Sequence, residues 1–320
     1  MRRALTIFAV LALIALSAGA ATNDTVRKSF NVGDGGTITL DADIGDIHVT
    51  SGGSGSLTID VVRSARSAEV LKDHELTFDQ SGNDVNVRSK FDRDFRGWFE
   101  WRSPLEVHYE IRVPAHYNIN LKTSGGDIKA GDIGGTAEVR TSGGDIALAH
   151  VNGAVRANTS GGDVSIESAS GAITARSSGG DVTIHDAAST IDAKTSGGSI
   201  EIKRAGGTVM ARTSGGGIRI DDASDTIDAS TSGGSIHARF SRQPRGDSRL
   251  STSGGGVTVE LASSIGAELD AHSSGGGVHS DVPVTVQGSQ DDDSLRGRIN
   301  GGGPRLVLRT SGGGISVRRG

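Results

Sequence analysis

A four-residue motif, Thr/Ser-Ser-Gly-Gly, recurs at a fixed spacing through most of this 320-residue chain. Seven copies begin eighteen residues apart, at Thr123, Thr141, Thr159, Ser177, Thr195, Thr213 and Thr231. Two further copies follow at intervals of twenty-one residues, at Thr252 and Ser273, and a last copy begins at Thr310. A constant period of this length is typical of proteins that stack one structural unit on the next. The motif therefore predicts a solenoid.

Apolar and polar residues alternate on both sides of each motif. Val182 and Ile184 follow one copy, and Ile191 and Ala193 lead to the next, in each case with a polar residue between them. Alternation with a period of two indicates strands that bury one face, and the enrichment in β-branched residues supports it. We therefore predict an all-β fold, a single-stranded β-solenoid (β-helix) with about 18 residues and two strands in each coil. The glycines of the Ser-Gly-Gly corner are expected to supply positive φ for a sharp turn.

The interior of this solenoid is predicted to be narrow, with no cavity for a ligand. One inward column consists of alanine in five successive coils, at Ala157, Ala175, Ala193, Ala211 and Ala229. The inward Thr/Ser column is expected to form a hydroxyl ladder beside it. A left-handed hexapeptide helix or a calcium-binding nonapeptide roll would need periods of about six or nine residues, so both fit poorly. The pattern leaves the handedness of the solenoid open.

Residues 1–20 have the composition of a secretion signal. Arg2 and Arg3 precede an apolar run at residues 4–16, and Ala18-Gly19-Ala20 forms a cleavage site. The alternative is a membrane anchor, which would need an apolar run of ~20 residues. We predict an exported chain with no transmembrane segment after cleavage, and leave open whether it stays in the periplasm, on the cell surface or in the medium.

Residues 21–117 differ from the repeats and are predicted to form a β-rich cap on a solenoid domain of residues 118–320. Nine of the eleven aromatic residues lie in this region, including Trp98, Phe99 and Trp101. Such a segment is expected to cover the exposed apolar end of the first coil. We expect the aromatic residues to pack inside the cap, and the alternative is that they form a platform for sugars.

The C-terminal part of the chain also departs from the regular period. Residues 287–298, which include three consecutive aspartates, are expected to form a solvated loop. A partial coil is expected to follow this loop. The charged residues at the very end of the chain are expected to guard the open edge of the last coil.

The composition excludes several kinds of site. The chain contains no cysteine, which excludes disulfides, thiolate zinc sites and cysteine nucleophiles. Its formal net charge is −5, and cleavage of the signal would remove two arginines, so nothing indicates nucleic-acid binding. The nine histidines show neither metal-binding spacing nor the order of a catalytic triad. We predict neither catalysis nor a cofactor.

Two charged columns flank the Ser-Gly-Gly corner. Aspartates follow the glycines in four early coils, at Asp127, Asp145, Asp163 and Asp181. Basic residues precede the motif in five coils, at Lys122, Arg140, Arg176, Lys194 and Arg212. Because like charges stacked at strand spacing repel, we expect a salt-bridge ladder between the columns or capping of turn N–H groups by aspartate. The basic column is also a candidate site for acidic glycans or envelope phosphates. The aspartate column is a weaker candidate for calcium, which prefers about 6–8 oxygen ligands.

The tripeptide Arg245-Gly246-Asp247 matches an integrin-type attachment sequence. In a chain this rich in glycine, arginine and aspartate, such a triplet arises readily by chance. We therefore interpret it as a coincidence unless its loop proves exposed and the organism is host-associated.

Residues 113–121 (VPAHYNINL) lead directly into residues 122–128 (KTSGGDI), and Ser-Gly-Gly-Asp-Ile/Val coils follow. This combination resembles a bacterial family of predicted adhesins, exported domains of unknown function with repeats of this kind. The resemblance covers roughly residues 30–320 and implies a β-solenoid and an exported location. In later coils the aspartate is replaced, for example by Ser199 and Gly217, so any role of a repeated aspartate is confined to the early coils.

These observations predict an exported, non-catalytic β-solenoid that acts as an adhesin or as a cell-envelope interaction protein. Its partners would be glycans, envelope polymers or another envelope protein. Two alternatives stay open at this point: a carbohydrate-active β-helix enzyme on acidic polysaccharides, and a structural partner in envelope-stress sensing. The pattern does not determine the oligomeric state.

Overall fold

The structure, a computed structural model, describes residues 22–53, 55–92, 105–286 and 291–320. The predicted signal at residues 1–20 and the aromatic residues Trp98, Phe99 and Trp101 lie outside the described residues. Within the described ranges the chain is almost entirely β-structure, with twenty-nine strands and one five-residue helix, α1 (Ala68–Lys72). The predicted all-β class is confirmed.

The strands, numbered in chain order, form two sheets. In spatial order, sheet A contains β1 (Thr22–Asn31), β4 (Ser56–Ala65), β7 (Leu105–Val113), β3 (Asp46–Ser51), β9 (Ile128–Ala130), β11 (Ile146–Val151), β13 (Val164–Ala169), β15 (Val182–Ala187), β17 (Ile200–Ala205), β19 (Ile218–Ala223), β21 (Ile236–Phe240), β23 (Val257–Leu261), β29 (Ile315–Arg319) and β25 (Val278–Ser280). In the same way, sheet B contains β26 (Val284–Val286), β27 (Ser294–Ile299), β24 (Ala267–Ser273), β28 (Arg305–Thr310), β22 (Ser248–Thr252), β20 (Ile227–Thr231), β18 (Val209–Arg212), β16 (Ile191–Lys194), β14 (Ile173–Arg176), β12 (Val155–Asn158), β10 (Ala137–Arg140), β8 (Asn118–Lys122), β2 (Thr37–Ala42), β6 (Asp84–Phe91) and β5 (His74–Ser81).

Successive coils stack in parallel and in register. From β8 to β21, each coil places one strand in sheet B and the next in sheet A, and equivalent residues are eighteen positions apart. Ala157 pairs with Ala175 in sheet B, and Ile166 pairs with Ile184 in sheet A. The predicted solenoid, with two strands in each coil, is confirmed.

Small and branched side chains fill the space inside the coils. The inward alanine column is completely buried, with 0% exposure at Ala157, Ala175, Ala193, Ala211 and Ala229. Ile184 and Ile202 of sheet A are also 0% exposed. Because each coil buries a similar apolar stripe against its neighbours, stability is distributed along the stack rather than concentrated in one core.

At the N-terminal end, the chain adds a coil before its first Ser-Gly-Gly motif. β2 pairs in parallel with β8, and β3 pairs in parallel with β9, so residues 37–51 stack directly on the first repeat. β6 and β7 stack on the outer side of this coil, and the antiparallel strands β5, β4 and β1 complete both sheets. Residues 21–117 thus supply both a solenoid coil and antiparallel strands outside it. The domain boundary at residue 117 stays a prediction.

The C-terminal end is assembled out of chain order. β28 lies between β22 and β24, and β29 lies between β23 and β25, so the last coil of the chain is not the last coil of the stack. The expectation that the chain end guards an open edge is therefore wrong, because both edges of this coil are paired with parallel strands. The antiparallel strands β27 and β26 follow β24 at the edge of sheet B. The loop expected at residues 287–298 is also shorter than predicted, since β27 begins at Ser294.

Candidate functional site

Each motif threonine or serine is buried and joins two coils. The Thr159 Oγ1 hydroxyl donates to the carbonyl oxygen of Gly144 at 2.9 Å and accepts the N–H of Gly162 at 3.3 Å. The equivalent bond to the preceding coil is made by Thr141, Ser177, Thr195, Thr213 and Thr231. The expected hydroxyl ladder is therefore a set of hydroxyl-to-carbonyl bonds, which satisfy buried polar groups on both partners.

The second glycine of each motif is needed because neighbouring coils approach closely. A Cβ atom on Gly144 would lie 2.2 Å from the carbonyl oxygen of Gly126 in the preceding coil. In this corner the first glycine has more room, since a Cβ on Gly143 would lie 3.7 Å from its nearest neighbour, whereas in later coils the first glycine is also crowded, with a Cβ on Gly215 2.8 Å from the carbonyl oxygen of Gly197. None of the motif glycines, all of which lie within the described residues, has positive φ. The expectation that they supply left-handed turns is wrong, because the corner needs the absence of a side chain rather than an unusual backbone angle.

The aspartates that follow the glycines form a hydrogen-bonded ladder with the backbone of the next coil. Asp163 Oδ1 accepts the N–H of Asp181 at 2.8 Å, and Asp145 Oδ1 accepts the N–H of Asp163 at 2.8 Å. Asp127 caps Asp145 in the same way at 2.9 Å. Asp46 of β3 begins the ladder by accepting the N–H of Asp127 at 2.9 Å. Of the two arrangements expected for this column, the structure shows the capping of N–H groups.

Serine takes over this capping role in two later coils, where the hydrogen bonds are longer. Ser199 Oγ accepts the N–H of Gly217 at 3.3 Å, and Ser235 Oγ accepts the N–H of Gly256 at 3.1 Å. A neutral acceptor is therefore compatible with the corner. The carboxylates of the aspartate ladder already accept backbone N–H groups, so fewer of their oxygens are left to bind an ion.

We expect Asp163→Ala to lower the free energy of unfolding by about 1 kcal/mol, because the N–H of Asp181 loses its acceptor. Asp163→Asn is the matched control: it keeps a side-chain oxygen at the same position and removes one of the stacked like charges. The Asn variant should be as stable as the parent protein in urea unfolding. An Asn variant as unstable as the Ala variant would contradict the capping role.

The basic column lies on the outer face of sheet B, and its partners lie on that same face. Four members form ion pairs: Lys122 with Asp41 at 2.9 Å, Arg140 with Glu138 at 2.6 Å, Arg176 with Asp192 at 3.0 Å and Arg212 with Asp228 at 2.5 Å. Lys194 has no ion-pair partner among the described residues. The column therefore does not pair with the aspartate ladder. Because both partners in these four pairs are well exposed, the pairs contribute little stability and exchange readily with other ions.

The outer face of strands β8 to β20 in sheet B carries more basic than acidic side chains, and we call it the basic face. Its basic members are Lys122, Arg140, Arg156, Arg176, Lys194 and Arg212. Its acidic members are Glu138, Asp192 and Asp228. The whole chain has a net charge of −5, so this face differs in sign from the molecule that carries it. The sequence pattern showed the column but not Arg156, which lies two positions before the interrupting Asn158.

The Arg245-Gly246-Asp247 tripeptide is held by contacts within the fold. Arg245 forms an ion pair with Asp225, whose side chain is only 4% exposed. The hydrogen bond from Arg245 holds the pKa of the Asp225 carboxyl below its ordinary value. Asp247 Oδ1 accepts the N–H of Arg305 at 2.9 Å. Both charged side chains of the tripeptide therefore have structural partners, although the segment is exposed.

Seven of the nine histidines lie beside a carboxylate, an arrangement that the sequence pattern did not predict. The pairs are His48–Glu110, His108–Asp46, His116–Asp34, His150–Asp132, His185–Glu167, His237–Glu260 and His279–Asp281. In the part of the chain that the structure describes, no three histidine, aspartate or glutamate side chains form a group that could hold a metal ion.

The surface clefts are open, and one of about 360 Å³ is lined by His116, Asp132, His150 and Asn152. No helix of the described residues is long and apolar enough to span a membrane.

A family model matches most of this chain. The family model of Toastrack DUF4097 matches residues 35–240 and, in a second overlapping match, residues 155–318. The chain belongs to the Toastrack DUF4097 family. This confirms the resemblance stated from residues 113–128, and it agrees with the β-solenoid architecture of the described residues. The first match begins near β2, so the family also includes the coil that precedes the first motif.

Three solved structures align with most of this chain at low identity. A candidate cell adhesion protein from Clostridium sporogenes is 10% identical, with a TM-score of 0.22, and the match covers 93% of this chain and 100% of that one. A candidate adhesin from Bacteroides fragilis is 13% identical, with a TM-score of 0.35 and coverage of 92% and 97%. A candidate lipid-binding protein from Parabacteroides distasonis is 13% identical, with a TM-score of 0.35 and coverage of 93% and 97%. These TM-scores are too low to support an argument about function. A comparison with curated protein sequences finds none that matches this chain.

Proposed function

We propose that this Toastrack DUF4097 protein is exported, is not a catalyst, and binds acidic polymers of the cell envelope through the basic face. The observation that carries the proposal is the presence of six lysine and arginine side chains on one outer face, five of them in a column that only Asn158 interrupts. The composition of residues 1–20 supports export.

The spacing of the basic face suits a repeating anionic polymer. Parallel strands place equivalent side chains about 4.8 Å apart, which is comparable to the length of one sugar unit. The register joins Lys122 to Arg140 and Arg176 to Lys194, so cations follow one another along the solenoid axis. A polyuronate or a phosphate-bearing glycan that lies across the strands would therefore meet a basic side chain at most of its units.

The distribution of charge over the molecule favours binding of the polymer at the basic face. The ion pairs on the basic face involve exposed carboxylates, and a polymer carboxylate or phosphate replaces such partners at little cost. The rest of the chain is acidic overall, which favours binding of a polyanion at the basic face over most of the remaining surface. Since the interior is filled by alanine and branched residues, binding takes place on the outside of the coils.

The double variant Arg176→Glu/Lys194→Glu tests the proposal with polygalacturonate as the probe. We expect the parent protein to bind the polymer with an affinity that falls as salt is added, and the variant to bind roughly tenfold more weakly. The matched control is Lys129→Glu/Arg239→Glu, which makes the same charge change on the outer face of sheet A. Isothermal titration calorimetry at two salt concentrations measures both.

The control variant should bind polygalacturonate within about twofold of the parent protein. Equal losses in both double variants would show that only net charge matters, and the basic face would then not be the site. Absence of polygalacturonate binding by the parent protein, with neutral dextran as the blank, would also reject the proposed ligand class.

A further inference from the structure

Four arginines surround two carboxylates at the C-terminal end of sheet B, on strands outside the basic face. We call Arg296, Arg298, Arg305 and Arg309 the arginine cluster. β24 lies between β27 and β28, and the register places Glu268 opposite Arg298 on one side and Arg305 on the other. Asp270, two positions further along β24, is opposite Arg296. The alternating burial of these three strands directs all six side chains to the outer face.

Asp270 is the centre of this arrangement and fixes the positions of three arginines. Its side chain is only 15% exposed, and it contacts Arg309 Nη2 at 2.7 Å, Arg296 Nε at 3.0 Å and Arg305 Nη2 at 3.5 Å. Burial acts to raise the pKa of the Asp270 carboxyl, but hydrogen bonds and charge from Arg309 and Arg296 lower it below its ordinary value. Asp270 is therefore ionised and holds the guanidinium groups in place.

The arginines have more hydrogen-bond donors than these carboxylates use. Each guanidinium carries about five N–H donors, yet Arg296 contacts Asp270 through Nε, and Arg298 approaches Glu268 through Nε at 3.8 Å. The side chains of Arg296, Arg305 and Arg298 are 71%, 57% and 51% exposed. Their remaining donors border an open cleft of about 290 Å³ that Gly297 and the two carboxylates also line.

The charges of the arginine cluster and its two carboxylates do not cancel. Four arginines face two carboxylates, so the cluster keeps a net positive charge after every internal pair is counted. If Asp270 only held the last strands together, fewer arginines would be enough to neutralise its charge. Arginines already held by ion pairs lose little conformational freedom when a ligand binds, which favours binding.

We propose that the arginine cluster is a binding site for an oxyanion group, such as a phosphate, sulfate or carboxylate. Guanidinium groups bind these groups with two parallel hydrogen bonds, a geometry that a lysine ammonium cannot provide. The site uses residues of β24, β27 and β28 only, and it does not depend on the basic face. Arg296, Arg298 and Arg305 all line the open cleft in which the oxyanion would bind.

The double variant Arg296→Ala/Arg298→Ala tests this site in the full chain. Calorimetric titrations use inorganic phosphate, inorganic sulfate and galacturonate in turn, at an ionic strength kept constant with sodium chloride. We expect saturable binding of at least one of them by the parent protein and a loss of about tenfold or more in the variant. Arg309 and Arg305 still neutralise Asp270 in this variant, so the fold should be retained, and the thermal unfolding midpoint checks it.

The matched control is Arg318→Ala/Arg319→Ala, which removes two exposed arginines from β29 in sheet A. Its affinity for the oxyanion should equal that of the parent protein. The proposal is overturned if the parent protein binds none of the three anions saturably, or if both double variants lose affinity equally. The variant Arg176→Glu/Lys194→Glu separates the two proposals, because it should keep the oxyanion site even where it loses polygalacturonate.

Discussion

Replacing Gly144 with alanine is expected to lower the free energy of unfolding by about 3 kcal/mol, the range found when a group is forced into a space already filled. The added Cβ would lie 2.2 Å from the carbonyl oxygen of Gly126. That oxygen belongs to the backbone of the preceding coil, so no flexible side chain can move aside. The two coils must separate locally, which weakens the parallel hydrogen bonds between them.

Gly143→Ala provides the matched control in the same corner. Its Cβ would meet its nearest atom at 3.7 Å, an ordinary contact distance. Because Gly143 does not have positive φ, alanine fits its backbone and reduces the conformational freedom of the unfolded chain. We expect a change between zero and a stabilisation of about 1 kcal/mol.

Urea unfolding of both variants measures this difference, and hydrogen exchange locates it. In a solenoid each coil contacts only its neighbours, so the loss of protection in Gly144→Ala should be greatest near the Ile128 N–H, which donates to the carbonyl of Asp145 at 2.8 Å. Equal destabilisation by the two variants would mean that the motif needs glycine for its backbone angles. That result would support the expectation that the motif glycines supply positive φ.

The regular part of the fold could be predicted because its physical requirements repeat with the motif. Parallel strands in register place residues eighteen positions apart in contact, so an inward column must be apolar in every coil, and the spacing of Ile184 and Ile202 shows it directly. The capping aspartates also follow the period, which is why their position at the corner could be predicted. The pattern contains no distances, so it did not distinguish their role as hydrogen-bond acceptors from salt bridging.

The strand order at the two ends of the stack could not be predicted, because the pairing there departs from chain order. β28 inserts between β22 and β24, and no periodic signal indicates an insertion. The arginine cluster depends on this insertion: Arg309 lies thirty-nine residues from its partner Asp270. Sequence reasoning therefore missed the three ion pairs around the partly buried Asp270 carboxylate.

Some missed contacts did have a signal in the sequence. His150 and Asp132 are eighteen residues apart, as are Arg204 and Asp186, so the period itself would have paired them. The Gly-Asp-Ile triplet at residues 45–47 matches the corner at residues 126–128. It marks the extra coil and the first aspartate of the ladder, although the preceding Thr-Ser-Gly is absent there.

The buried His74 should make the N-terminal end of the stack sensitive to acid. His74 is 4% exposed, and its Nε2 lies 2.6 Å from the Ser89 hydroxyl, which in turn contacts the Tyr109 hydroxyl. Burial, followed by the positive charge of Arg63, lowers the pKa of His74 from 6.5 to about 4. The imidazole is therefore neutral in the folded protein over a pH range in which it is protonated in the unfolded chain.

The direction of the effect follows from proton uptake. Between pH 6.5 and about 4, the unfolded state binds a proton at His74 that the folded state does not, so acidification favours unfolding. The contribution of His74 is fully present above pH 6.5 and declines as the pH falls towards 4. The loss of stability reaches at most about 3 kcal/mol. Below about pH 4, His74 is protonated in both the folded and the unfolded state, so further acidification causes no further loss of stability at this residue.

His74→Gln tests this, because glutamine can contact Ser89 but does not titrate. The variant is expected to be less stable at neutral pH, since it fills the site less well, yet its stability should fall less steeply than that of the parent protein between pH 6.5 and 4. The same substitution at His272, an exposed histidine in β24, is the matched control. Urea unfolding at several pH values, with hydrogen exchange in β5 and β6, gives the comparison. Parallel pH profiles for the parent protein and His74→Gln would show that His74 is not the acid-sensitive group.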